Sequence, residues 1–205
     1  MKVDLRNEVA LDIKKNIIEI GKRLTIKSLT HGTAGNISFK LSDKCILVSR
    51  RGVDLGEMTN DDIIKLDISG NLLEGKLQPT SEIPMHLEIY RKCLKTKAII
   101  HAHPPFSTAF AVAGIPLDKH LLPEAVNIVG DVPIIKYCQP HSQELANEIA
   151  KALQIHNFLL MANHGIIGTG LYLKDICYGL EIIEFLCQVR IYTKILGKEN
   201  EIPKD

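Results

Sequence analysis

The apolar positions of the chain follow two spacings, one typical of helices and one typical of strands. In residues 7–28 they recur mainly three or four positions apart among charged residues, which predicts an amphipathic opening helix. Short apolar runs bounded by turn residues predict strands instead. Further helices are predicted at about 82–94, 105–113, 141–154 and 173–196, and strands within 37–50 and at 63–68, 72–73, 97–102, 131–137 and 158–162.

The first predicted strands form hairpins. Polar turn residues at 42–44 separate the first pair of strands, and those at 69–71 separate the second pair. Thr80 or Ser81 is expected to cap the helix that follows, because both side chains offer an acceptor for a free backbone N–H. Hairpins mixed with helices favour one sheet covered by helices, and the length of 205 residues fits a single domain over 1–205.

Composition excludes several classes of protein. The 45% of hydrophobic residues argues against a disordered chain, and a net charge of +1 gives no drive toward nucleic acid or an anionic membrane, so we expect neither partner. Residues 1–16 are charged and no long apolar stretch follows, so we expect no signal peptide and no membrane span. The five cysteines lack a CxxC pair, which favours a reduced, cytoplasmic chain with buried thiols.

Three histidines stand where strands are predicted to end. His101 and His103 follow an apolar run, and residues two apart in an extended chain point the same way, as two ligands of one metal would. His164, between Asn and Gly after the strand at 158–162, offers a third imidazole. Three imidazoles leave the open coordination position that a catalytic metal needs. Taken singly, each motif has another interpretation. His101 and His103 could be hydrogen-bonded structural histidines, and the segment with His164 could be an ordinary turn.

Glu82 stands at the predicted start of the second helix. The helix macrodipole favours a carboxylate there, and the same carboxylate is placed where a metal site needs a general base. His86 lies one helical turn further along the same face. We expect His86 to have a structural or supporting role rather than a catalytic one.

Two loops carry groups suited to an anion. The small residues of 32–36 let backbone N–H groups approach an anion closely, and the hydroxyl pair at 80–81 adds further donors. Arg50 and Arg51 add positive charge on another loop, and arginine suits bidentate contact with phosphate. The alternative interpretation is that 32–36 form a tight turn and that the two arginines are solvated surface residues. The role of His31, which adjoins the first loop, stays open.

Four segments of the chain, taken together in their order along the sequence, resemble the class II aldolase/adducin-head family, of the L-fuculose-1-phosphate aldolase type. The matching segments are GTAGN at 32–36, GKLQPTSE at 75–82, HAH at 101–103 and NHG at 163–165, and the course of the chain matches over roughly 10–196. The resemblance implies a single three-layer α/β domain, with helices on both faces of a central, largely antiparallel sheet. It also implies a homotetramer with active sites between subunits.

The resemblance implies a role for each matching residue. The metal ligands would be His101, His103 and His164, which would bind one Zn²⁺ per chain or another divalent metal. Glu82 would be the acid/base, and a fourth ligand before substrate arrives. The substrate phosphate would be held by Thr33, Gly35, Asn36, Gly52, Thr80 and Ser81. The implied reaction cleaves a small ketose phosphate to dihydroxyacetone phosphate and an aldehyde through a metal-stabilised enediolate.

The chain departs from the aldolase pattern at two places. Arg51 stands where the sugar-phosphate aldolases tend to have a small hydroxyl residue, and the middle stretch 120–124 has no tyrosine, although its Glu124 is a candidate second acid/base. The alternatives are a decarboxylase, dehydratase or 4-epimerase of the same family, or a noncatalytic adducin-head-like oligomerisation module. Glu82 favours an aldolase over an epimerase, since the epimerases tend to carry Asp there. The intact set of histidines and Glu82 favours catalysis over the noncatalytic module.

Overall fold

In the computed structural model, which describes residues 5–117 and 119–203, an eight-stranded sheet forms the centre of the molecule. Strands β1 to β8 are Asn36–Ser42, Cys45–Ser49, Ile63–Asp67, Leu72–Glu74, Ala98–Ala102, Ile134–Ile135, Phe158–Met161 and Gly165–Gly170. Helices α1 to α5 are Leu5–Ile26, Ile83–Lys92, Pro105–Ala113, Gln143–Ala152 and Leu173–Leu196. The strand order is β4-β3-β2-β1-β5-β8-β7-β6, and these neighbours pair antiparallel except β6 with β7.

Helices cover both faces of this sheet. α1, α3 and α5 pack on one face, and α2 and α4 pack on the other. Alternation along each strand decides which layer a side chain meets, so Ile100 faces α5 while Ile99 faces α2. The expected three-layer α/β fold with a largely antiparallel sheet is confirmed. The predicted domain range of 1–205 also includes residues 1–4, 118 and 204–205, which lie outside the described residues.

Both predicted hairpins are present. A two-residue turn at 43–44 joins β1 to β2. The carboxylate of Asp67 accepts hydrogen bonds from the backbone N–H groups of Ser69 and Asn71, at 2.8 and 2.9 Å, and so closes the turn between β3 and β4. β8 is a strand that the pattern does not predict, because its sequence GIIGTG carries three glycines, which weaken the strand signal.

The start of α2 differs from the expectation. Its N-cap is Glu82, so neither Thr80 nor Ser81 caps the helix. The hydroxyl of Thr80 instead accepts a hydrogen bond from the backbone N–H of Glu82 (3.3 Å), and the backbone N–H of Thr80 donates to the carbonyl of Ser49 at the end of β2. This turn therefore holds Glu82 against the edge of the sheet.

Other boundaries differ by a few residues, and one strand is much shorter than predicted. β6 is only two residues long, in place of the strand predicted at 131–137. β6 lies at the edge of the sheet and has β7 as its neighbour. Within the described segment 131–137, only Ile134 and Ile135 are paired with β7, so the flanking residues are not part of the strand. A single π-helical turn at Ala125–Val129 also lies outside any predicted element.

The cysteines of the described residues are free thiols. Cys93, Cys177 and Cys187 are buried, whereas Cys45 and Cys138 are half-buried, so the expectation of burial is wrong for those two. No helix within the described part of the chain is both long enough and apolar enough to cross a bilayer.

Glu184 of α5 completes the N-terminus of α3. That helix starts directly after Pro104, which has no side-chain acceptor for the free N–H groups of the first turn. The carboxylate of Glu184 accepts hydrogen bonds from the backbone N–H groups of Phe106 and Ser107, both at 2.8 Å. An anion at this end of a helix is also favoured by the macrodipole, so Glu184 joins two helices of one layer.

Replacing Glu184 with alanine should lower the free energy of unfolding by about 1–3 kcal/mol, because two buried N–H groups lose their acceptor. Urea unfolding followed by circular dichroism measures the difference. Gln188→Ala is the control, since this residue lies one turn further along α5 and bonds the exposed Tyr192. The control should change stability by less than about 0.5 kcal/mol. An equal loss in both variants would contradict the capping role of Glu184.

Candidate metal centre and adjoining cavities

Three imidazoles meet at one end of the sheet. His101 and His103 come from the end of β5, and His164 comes from the turn between β7 and β8. One ligand atom of each lies within 4.8 Å of the others, and the Nε2 atoms of His101 and His103 are 2.8 Å apart. The structure thus brings the three predicted histidines to one point.

The residues on either side of His164 allow this close approach. Asn163 has a φ of 57°, a left-handed conformation that asparagine tolerates better than most residues. A Cβ atom on Gly165 would lie 2.5 Å from the carbonyl oxygen of Ala102 and 2.5 Å from Cδ2 of His103. Glycine at 165 therefore leaves the space in which the ring of His103 turns toward the cluster.

The orientation of His101 is fixed from behind. The ring is completely buried, and its Nδ1 lies 2.9 Å from the carbonyl oxygen of Ile166 in β8. A carbonyl only accepts, so Nδ1 carries the proton and donates it. Nε2 consequently points into the cluster, which is the arrangement in which a metal-binding histidine is usually held.

Glu82 is the buried carboxylate of the cluster, with 7% of its surface exposed. Its Oε2 lies 3.1 Å from Nε2 of His101 and accepts a hydrogen bond from Nδ2 of Asn36 (2.8 Å). Its Oε1 lies 3.2 Å from Nε2 of His164 but has no hydrogen-bond partner among the described residues. A buried carboxylate oxygen without a hydrogen bond is costly unless a cation compensates it.

The pKa values of the cluster are shifted because a carboxylate and imidazoles lie close together away from water. Burial raises the pKa of Glu82, but His101 and His164 outweigh burial and hold that pKa far below its usual range. Burial lowers the pKa of His101, but Glu82 outweighs burial and the net pKa is raised. Burial, together with the other two imidazoles, lowers the pKa of His103 to about 3. His103 is therefore neutral, the form in which an imidazole binds a metal ion.

The donor set fits a divalent metal ion. Ligand atoms at the usual Zn–N distance of about 2.0–2.1 Å in a tetrahedron are about 3.3 Å apart. Three contacts in this set are close to that spacing, namely His101–His103 at 2.8 Å, His101–Glu82 at 3.1 Å and His164–Glu82 at 3.2 Å, and the three imidazole ligand atoms all lie within 4.8 Å of one another. An ion bound here would require all three imidazoles to be neutral, so its binding would weaken as the pH falls.

A cavity of about 200 Å³ opens beside the cluster. The residues expected to hold a phosphate all line it: Thr33, Gly35, Asn36, Gly52, Thr80 and Ser81. Glu82, His103 and His164 line the same cavity, so it reaches the cluster. Gly35 has a φ of 85°, and a Cβ there would lie 2.8 Å from the carbonyl oxygen of His101, so only glycine fits between the cavity and the strand.

The two arginines of this cavity are not equivalent. Arg50 pairs with Asp62 and donates to the carbonyl of Arg51, so its charge is compensated within the protein. Arg51 is exposed and lines the cavity. His141 also lines the cavity, although no sequence motif singles it out. Its φ of 65° is a left-handed conformation that is uncommon for residues other than glycine. The sequence around His141 does not predict this conformation, so it gives no sign that the side chain lies at the cavity.

A second cavity of about 500 Å³ lies on the other side of the cluster and shares His103 and His164 with the first. His31 lines it, with its ring centroid 6.4 Å from that of His103. Glu124, the candidate second acid/base, lines a separate cavity with Phe185, so the structure does not bring it to Glu82 within one chain.

Comparison with known proteins gives a family. The model of the Class II Aldolase and Adducin N-terminal domain matches residues 15–191. The chain belongs to this family. It is 30% identical over 195 residues to the 5-deoxy-D-ribulose 1-phosphate aldolase of Bacillus thuringiensis, covering 94% of this chain and 90% of that protein. It is 33% identical over 176 residues to the 3-oxo-tetronate 4-phosphate decarboxylase of Haemophilus influenzae, covering 83% of each.

A solved L-fuculose 1-phosphate aldolase shares the fold with a TM-score of 0.85 and 32% sequence identity, and the alignment covers 94% of this chain and 91% of that one. The resemblance to the class II aldolase/adducin-head family is therefore confirmed. Membership of this family supports an enzyme with aldolase or related lyase activity. The solved aldolase has the same fold as this chain.

Replacing Gly165 with alanine should lower the amount of metal bound per chain at a fixed low free-metal concentration. The added Cβ meets the backbone of β5 on one side, so the ring of His103 must move. Elemental analysis after dialysis measures the change. Gly170→Ala is the matched control, because Gly170 lies in the same strand, likewise without a positive φ, and its added Cβ would meet only the side chain of Ile176, at 3.3 Å. Unchanged metal content in Gly165→Ala would show that His103 is not held by this contact.

Proposed function

We propose that this class II aldolase family member is a metal-dependent aldehyde-lyase. It cleaves a small, fuculose-1-phosphate-like ketose phosphate to dihydroxyacetone phosphate and an aldehyde. The observation that carries the proposal is the position of Glu82. Its carboxylate stands between three converging imidazoles and a cavity lined with glycine, hydroxyl and arginine residues.

His101, His103 and His164 would hold the metal, with Glu82 as a fourth ligand before substrate arrives. Zn²⁺ suits this nitrogen and carboxylate donor set, although other divalent ions bind the same donors. When bound, the ion supplies a Lewis acid that stabilises negative charge developing on substrate oxygens. The carbonyl of Ile166 keeps His101 in the tautomer that binds the ion.

Glu82 would move the proton at the reacting carbon. It is ionised and only 7% exposed, so its carboxylate is not solvated by bulk water. Its Oε1 has no hydrogen bond to give up, and Glu82 lines the cavity where a substrate would lie. A carboxylate placed in this way accepts a proton without first losing a hydrogen bond at that oxygen.

The residues of the smaller cavity would bind the phosphate group. Backbone N–H groups of Thr33, Gly35 and Gly52, the Asn36 amide and the hydroxyls of Thr80 and Ser81 are donors of the kind that a phosphate needs. Arg51 adds a charged contact that replaces the small hydroxyl residue of the aldolase pattern. Binding energy from this remote group would hold the reacting carbons beside Glu82.

A second candidate is the decarboxylation of a phosphorylated keto acid. It is favoured by the 33% identity to a 3-oxo-tetronate 4-phosphate decarboxylase. Loss of carbon dioxide next to a carbonyl develops the same enolate charge as carbon–carbon cleavage does, so the same cluster and the same phosphate cavity would serve.

We also propose a cytoplasmic homotetramer with active sites between subunits. Free thiols support a reducing compartment. Large apolar side chains stand exposed on and near α3 and α5, among them Val112, Ile128 and Phe185, each more than half exposed. Such side chains are suited to contacts between subunits.

The proposal is tested by elemental analysis of the purified protein, followed on the same sample by assay of ketose 1- and 5-phosphates for triose phosphate release. We expect about one zinc per chain and release that is lost after chelation and restored by metal. Release of carbon dioxide from 3-oxo acid phosphates, without any triose phosphate, would favour the decarboxylase. Absence of bound metal and of both activities would favour the noncatalytic module.

Glu82→Gln should keep most of the bound metal and lower kcat by about a hundredfold or more, because an amide cannot accept the proton. Turnover per bound metal ion is the measurement. Glu88→Gln is the control on the same helix, since Glu88 pairs with Arg91 and Lys92 away from the cluster. Normal turnover by Glu82→Gln would exclude Glu82 as the proton carrier.

A further inference from the structure

A buried row of polar side chains runs from Glu82 into the layer between β1 and α2. Nε2 of His86 lies 2.5 Å from Oδ1 of Asn36, and Nδ1 of His86 lies 2.6 Å from Oγ of Ser38. Oγ of Ser38 lies 2.8 Å from the hydroxyl of Tyr90. These four residues are at most 3% exposed, among otherwise apolar neighbours such as Ile89 and Ile99. Burial of this much polar surface needs an explanation.

The row exists because two periodicities match. Glu82, His86 and Tyr90 are four residues apart on α2, which advances about 6 Å for each such step. Asn36 and Ser38 are two residues apart on β1 and face the same side, with an advance of about 6.8 Å. Helix and strand side chains therefore alternate, so that each polar group of α2 meets one of β1.

The direction of every hydrogen bond in the row follows from its end at the carboxylate. Glu82 only accepts, so Asn36 presents its Nδ2 and turns Oδ1 toward His86. His86 must then donate from Nε2, and burial lowers its pKa to about 3, so the ring is neutral and its Nδ1 accepts from Ser38. The hydroxyl of Ser38 then accepts from Tyr90 at 2.8 Å, and the carbonyl of Lys97, at a longer 3.3 Å, is the second acceptor near the Tyr90 hydroxyl.

We propose that His86 is a positioning residue that locks the side-chain amide of Asn36 with its nitrogen toward Glu82. This inference rests on the proposed role of Glu82 as the proton carrier. Without a donor behind it, Oδ1 of Asn36 is buried without a partner and the amide is held only by its bond to Glu82, so it can rotate away from the position it has here. Any rotation weakens the hydrogen bond that fixes Oε2 of Glu82, because an amide oxygen turned toward the carboxylate would be repelled.

The same lock affects the phosphate cavity. The nitrogen of Asn36 carries two protons, one of which goes to Glu82, and Asn36 lines the cavity. A fixed amide therefore holds the carboxylate and offers its second N–H in a constant direction. One residue couples the proton carrier to the part of the site where phosphate is expected.

The first experiment reads the tautomer of His86 without any turnover. In ¹⁵N NMR spectra of histidine-labelled protein, the signal missing from His86→Gln belongs to His86. We expect a neutral ring protonated on Nε2 between pH 6 and 8, in both the chelated and the zinc-loaded protein. A ring protonated on Nδ1 alone, or an imidazolium in this range, would overturn the proposal, whatever reaction the enzyme catalyses.

The second experiment separates positioning from stability. His86→Leu fills similar space without a donor, whereas the amide nitrogen of Gln in His86→Gln reaches the place of Nε2. We expect kcat to fall about tenfold or more in His86→Leu, with a smaller rise in KM from the unfixed Asn36 amide and metal content kept, and His86→Gln to recover most of kcat. Ile89→Val, a buried apolar change on the same helix that removes no hydrogen bond of the row, controls for stability.

The outcomes of the second experiment are distinct. A lower melting temperature in His86→Leu with unchanged kcat would overturn the proposal and leave the row a structural feature. An equal loss of kcat in His86→Leu and His86→Gln would overturn it as well. If the wild-type protein releases neither triose phosphate nor carbon dioxide, the proposed function fails, and the NMR result alone decides the orientation of Asn36.

Discussion

The burial of one carboxylate governs the arrangement of the site. Removing the charge of Glu82 from water costs several kcal/mol unless other groups compensate it. The protein does so with two imidazoles at 3.1 and 3.2 Å and one amide at 2.8 Å, and it leaves Oε1 without a hydrogen bond. The deficit at that oxygen is what a bound cation would remove. Metal affinity and the ionised state of Glu82 therefore have the same physical origin.

Compensation of this kind requires side chains from distant parts of the chain, and the antiparallel sheet supplies them. β1, β5 and β8 are neighbours, so Asn36 and His101 are register partners and His101 pairs with Ile167 on its other side. β8 also carries the turn with His164 to the end of β5. A residue near position 36 and one near 164 thus meet at the same end of the sheet, with the start of α2 above them.

The sequence predicts the parts of this site that depend on short-range geometry. The i, i+2 relation of His101 and His103 and the glycine after His164 are local, and the structure places them as that geometry requires. The three-layer fold follows from the helical and strand spacings together with the family motifs. The sequence alone does not predict that these motifs lie close together in space, because the separation between His103 and His164 along the chain does not fix their distance in the fold.

The features that the sequence missed depend on tertiary contacts. β8 has a glycine-rich sequence, and it is a strand because it lies between β5 and β7. Glu82 became the N-cap of α2 because Thr80 is held by Ser49 of β2. His141 adopts a left-handed backbone beside the cavity, which no composition rule indicates. A spacing that was visible, Glu-x₃-His-x₃-Tyr on a helix, became informative only when its partner strand with Asn36 and Ser38 was known.

The two cavities on either side of His103 and His164 differ in a way that bears on specificity. The smaller cavity, of about 200 Å³, is lined by glycines, hydroxyls and two arginines, groups that are suited to an anion. The larger, of about 500 Å³, is lined by Thr25, Ser28, Thr30, His31 and Thr108, short polar side chains that leave room. The relatives named above act on different phosphorylated compounds by their printed names. Under the proposed function, the smaller cavity would hold the phosphate and the side chains of the larger cavity would contact the rest of the substrate, so substitutions there would change specificity.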